Sequence, residues 1–148
     1  MTPAGPEPDG EGVPPPGCLP ELREKLTRLS DLLEVFDTQP QALDQQPQHI
    51  HTEMVIPIYI SMKTEVAQAC GPLWKDRDRD DLWEKFQATA EKWPAYDAAT
   101  SELKAIRDHG GTAVDALVRA ENPRRHYISA LDKFVKACSR TISYFFPT

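Results

Sequence analysis

Asp76, Asp78 and Asp80 alternate at the spacing of the first three ligands of a helix–loop–helix calcium loop. Such a loop needs a glycine at its sixth position for the sharp turn and a bidentate glutamate at its twelfth. Here those positions hold Asp81 and Gln87, and Arg77 and Arg79 neutralise the carboxylates between them. The run therefore reads as a solvated charge cluster at the start of a helix, where acids suit the positive end of the helix dipole. His49 and His51 flank Ile50 and could share a metal if they lay on a strand. No cysteine or carboxylate pattern completes that set, so they read as loop histidines. His109 and His126 lie beside a helix end and a helix start. No metal site is expected.

Nucleophilic chemistry needs a serine or cysteine on a strained turn or beside a base, and no G-x-S-x-G context surrounds any serine of this sequence. Three cysteines, Cys18, Cys70 and Cys138, are too few to pair completely and form no CxxC unit; reduced thiols in a cytoplasmic compartment are the expectation. There is no phosphate-cradling Walker loop and no GxGxxG, because Gly110-Gly111 stands alone as helix punctuation. Neither catalytic residues nor a cofactor are expected. The chain reads as a non-enzymatic protein, with a small helical enzyme built from carboxylates and histidines as the third-ranked reading.

The stronger functional signal is a distribution of charge. The 148 residues carry a net charge of −6, which argues against a nucleic-acid partner because phosphate neutralisation needs a basic face. Residues 119–148 nevertheless hold six basic side chains against Glu121 and Asp132, so the preceding body is strongly acidic. Arg124, Arg125, Lys133, Lys136 and Arg140 accompany an apolar face of Tyr, Phe, Val and Ile on the final helix. They are the candidate interaction residues. That combination suits an acidic protein partner, or an anionic membrane reached through a basic helix over residues 123–146. Pairing with acidic helices of the same domain explains the charges equally well.

These side chains must be positioned by helices. Residues 1–18 hold six of the 14 prolines and four of the seven glycines with few apolar side chains, and read as a disordered tail with polyproline character at Pro14-Pro15-Pro16. Neither a secretory signal nor an apolar run of membrane-spanning length is present, the longest being 54–60. After Pro20, Leu22, Leu26, Leu29, Leu33 and Phe36 recur at helical spacing and form one stripe. Residues 38–49, rich in Gln and Pro, read as a loop or linker.

The β-prone run 54–60 carries Pro57, yet Val55, Tyr59, Met62, Val66 and Ala69 continue at helical spacing, so a helix over 53–70 is preferred to a short strand. Further helices are expected from Leu82 to Trp93, ending at Pro94, and from Tyr96 to Ile106, ending at Gly110-Gly111. A short helix capped by Thr112 follows, and a final one begins at Asn122-Pro123. The expected fold is all-α: a bundle of five or six amphipathic helices over residues 19–148 behind the tail. Its expected role is protein interaction, as the N-terminal part of a signalling or scaffold protein.

Overall fold

In the computed structural model, residues 19–111 and 114–147 are described. The tail over 1–18 and the Thr112 cap lie outside them. The first helix, α1 (Leu19–Thr38), forms for the reason its spacing gives: Leu19, Leu22, Leu26, Leu29, Leu33 and Phe36 make one buried stripe while charged residues occupy the other faces. Among the described residues every regular element is helical and no strand occurs. The fold is an all-α bundle.

The connection after α1 is more ordered than its composition suggests. Pro40–Gln45 is a 3-10 helix, anchored by Leu43, whose side chain is fully buried. A continuous helical rod then runs over residues 47–70, built from α2 (Pro47–Ile50), α3 (Ile56–Ser61) and α4 (Ala67–Cys70) with π-helical turns at His51–Val55 and Met62–Val66. The β-prone run is therefore helical. Pro57 sits inside the rod, well past its start at Pro47. Its ring crowds the carbonyl four residues back, and the π turn just before it widens the backbone there, with the Ile56 N–H donating to the His51 carbonyl. Ile50, Met54, Val55, Ile58, Tyr59, Met62, Val66 and Cys70 face the core.

Gly71, at φ 56°, ends the rod. Arg79 then holds the following turn: its guanidinium donates to the carbonyls of Gly71 at 2.5 Å and Trp74 at 3.0 Å and stacks over the Trp74 ring. One arginine of the Asp/Arg run thus staples a turn and is not merely solvated.

Two long helices complete the domain. α5 (Asp76–Asp108) and α6 (Val114–Phe145) each run through a proline, Pro94 and Pro123, at which the sequence suggests a boundary. An internal proline costs roughly 3 kcal/mol by removing a hydrogen bond and crowding the preceding turn. Here the two helices lie against each other along their length, and residues beyond each proline are buried: Tyr96, Thr100 and Leu103 on α5, Tyr127, Leu131 and Phe134 on α6. Tertiary packing offsets the local penalty. The turn between them follows α5 with a Schellman arrangement, Gly111 N–H to Ile106 O and Gly110 N–H to Arg107 O, at a Gly110 φ of 74°.

At 33 and 32 residues, α5 and α6 outrun the 20 residues of α1. The hairpin beyond the main core accordingly has its own small cluster of Leu103, Ala116 and Ala120, flanked by Ala99, Ile106 and Leu117.

Candidate functional site

The 3-10 helix places Asp44 opposite Arg124 of α6. The guanidinium donates from Nε to Oδ1 at 3.1 Å and from Nη2 to Oδ2 at 2.5 Å, a two-point grip with both side chains nearly inaccessible. Tyr96 of α5 donates its hydroxyl to the same Oδ1 at 2.5 Å. Burial pushes the phenol of Tyr96 far above its ordinary range, and its hydrogen bond to Asp44 adds to the effect. One carboxylate thus joins the 3-10 helix, α5 and α6.

Beside this polar knot lies an aromatic stack. Tyr96 stacks on Tyr127 at 5.5 Å between centroids, and His51 lies flat against Trp93 at 4.4 Å. The Nδ1 of His51 shares a 2.7 Å hydrogen bond with the Tyr127 hydroxyl. His51 stands in the first π turn, and its burial lowers the imidazole pKa to about 4, against a smaller opposing pull from Asp97. Burial likewise raises the Tyr127 phenol. The imidazole is therefore neutral at physiological pH, enclosed and partnered. Residues able to move protons are assembled here, but around one another.

The accessible feature is a groove of about 1640 Å³ between α1 with its 3-10 extension and the outer side of α6. Leu33, Phe36 and Val135, all nearly buried, lie at its base, and Leu117 and the exposed Val118 extend it along the projecting hairpin. Glu34 and Asp37 stand on the α1 side, and Arg125, Lys136 and Arg140 with Glu121 and Asp132 on the α6 side, with Arg107 of α5 at the hairpin end.

The five candidate residues separate. Arg124 points inward and is engaged by Asp44. Arg125, Lys136 and Arg140 line the groove, although Lys136 also pairs with Asp132 at 2.9 Å. Lys133 faces a different crevice, with Lys85 and Lys92 of α5. The apolar face of α6 is directed into the bundle: Tyr127, Leu131, Phe134, Cys138 and Ile142 are all buried. At its end Phe145 and Phe146 pack partly against the core while Tyr144 stays 78% exposed.

Sequence reasoning missed Asp44, His51, Trp93 and Tyr96 as a group. They are 52 residues apart at their extremes and follow no local pattern; the one available signal was Asp44, the single acid in the Gln- and Pro-rich run over 38–49, with His51 just beyond it. Among the described residues no three His, Cys, Asp or Glu side chains converge as metal ligands. No described helix is long and apolar enough to cross a membrane. Comparison with known protein families, curated proteins and solved structures yields no match to this chain.

Proposed function

We propose that this domain is a non-enzymatic protein-interaction module of the cytoplasm, which receives an amphipathic helix of a partner protein in the groove between α1 and α6. The observation that carries the reading is the division of charge across that groove: Glu34 and Asp37 stand on the α1 side, while on the α6 side Arg125, Lys136 and Arg140 outnumber Glu121 and Asp132. A helix docking there would place its apolar stripe on Leu117 and Val118, with carboxylates toward Arg125 and Arg140 and basic residues toward Glu34 and Asp37. Opposed signs on the two walls fix the direction in which such a helix can lie.

The non-enzymatic part rests on enclosure: Asp44, His51, Tyr96 and Tyr127 satisfy one another away from solvent. A membrane-associating or pore-related role for α6 draws less support, because its apolar face is used by the core.

Selection of helical peptides against the purified domain tests the proposal. Bound peptides are expected to slow hydrogen exchange on α1 around Glu34–Asp37 and on α6 around Arg125–Arg140. Reversing both Arg125 and Arg140 to Glu is expected to weaken binding about tenfold or more. Failure to enrich any peptide, or protection confined elsewhere, overturns it. Flotation with anionic liposomes addresses the membrane alternative.

A further inference from the structure

On the outer side of the α5–α6 pair, across the ridge of α6 from the groove, is a smaller crevice of about 260 Å³. Its lining is basic from both helices: Lys85 and Lys92 of α5, His126 and Lys133 of α6. Ser129 adds a hydroxyl, and no carboxylate lines it. Ala88 and Ala130 form the floor, so no long side chain fills the space between the two helices.

Two of the lysines have no ion-pair partner among the described residues. Lys85 is tied to Asp81 at 2.7 Å, but Lys92 and Lys133 have no such contact. Like charges brought together across a helix interface raise the energy of the folded state unless something neutralises them. Such a convergence is the more telling in a chain whose net charge is −6. The space is smaller than the roughly 300–1,000 Å³ of drug-sized pockets and matches a compact charged group. Lysines approach phosphate oxygens as point charges, and a serine hydroxyl can donate to one of them.

From this convergence we infer a binding site for a phosphoryl group, held by Lys92 and Lys133 from the two helices, with Lys85, His126 and Ser129 around it. The phosphoryl group can come from a soluble polyphosphate or from a lipid headgroup. The crevice shares Ser129 with the α1–α6 groove, but Lys92 and Lys133 line the crevice alone, so either site can fail without the other.

The test uses the full chain and two probes: inorganic pyrophosphate in titration calorimetry, and phosphatidylcholine vesicles with and without phosphatidylinositol bisphosphate in flotation. Pyrophosphate is expected to bind and to lose affinity as salt rises. Lys92→Gln with Lys133→Gln should weaken binding about tenfold, whereas Lys104→Gln on the projecting part of α5 should leave it unchanged. Flotation only with the phosphorylated lipid, lost in the same double variant, identifies a headgroup as the source. A second measurement needs no ligand: in low-salt, anion-free buffer the double Gln variant should melt at or above the wild-type temperature, because it removes an unfavourable juxtaposition. Equal binding by wild type and double variant, binding by neither probe to wild type, or a clear loss of stability in the double variant overturns the inference.

Discussion

Arg124 on α6 and Asp44 on the 3-10 helix hold each other through two hydrogen bonds inside the bundle, although 80 residues separate them in the chain. Removing one partner from a buried pair leaves the other charge desolvated, at a cost of about 3–5 kcal/mol. Asp44→Ala and Arg124→Ala should each destabilise the fold by about that much in urea denaturation. Replacing both together, Asp44→Leu with Arg124→Met, should cost far less than the sum. Additive effects in the double variant would show that the two do not act as a unit.

His51 makes the stability depend on acid. Its folded pKa, about 4, lies below the unfolded value near 6.5, so the unfolded chain binds a proton first as pH falls. The contribution of the neutral, buried imidazole is whole above pH ~6.5 and is lost progressively down to pH ~4, by up to about 3 kcal/mol. Urea midpoints measured across that window should fall with pH in the wild type, and fall less in His51→Phe. Equal slopes in both proteins would refute this account.

Cys70 and Cys138 are both buried, and burial raises both thiols above their ordinary range, Cys138 by far the more. Since the thiolate is the reactive form, both should resist alkylation in the native protein and react promptly in denaturant. Peptide mapping by mass spectrometry reads each cysteine separately. Fast native labelling of Cys138 would show that α6 opens locally.

Gly110 adopts a φ of 74°, and among the described residues, its chain neighbours aside, a Cβ there would meet no atom within 4 Å. Gly110→Ala should therefore destabilise through backbone conformation alone, by about 1–2 kcal/mol. Leu103→Ala, which hollows the small hairpin cluster, should cost about 2–5 kcal/mol if that cluster folds together with the main core. Hydrogen exchange distinguishes cooperative unfolding of the whole domain from fraying of the hairpin.

The sequence by itself determined the class of fold and the inner face of most helices. The stripe Leu22, Leu26, Leu29, Leu33, Phe36 and the face Tyr127, Leu131, Phe134, Cys138 were legible because helical periodicity is local, set by 3.6 residues per turn. Gly110 was legible as a helix end for a similar reason: the left-handed conformation favours glycine wherever it occurs.

Tertiary structure decided what local rules could not. Pro94 and Pro123 interrupt a helix only when packing does not offset the lost hydrogen bond, and the contact of α5 with α6 exists only in the folded chain. The candidate interaction residues lie on one helix, yet only their neighbours distinguish them: Asp44 draws Arg124 inward, α1 opposes Arg125 and Arg140 with Glu34 and Asp37, and α5 brings Lys92 to Lys133. Charge is written residue by residue. Whether it is buried, balanced or left facing its like depends on distances between helices, and those are fixed only when the bundle closes.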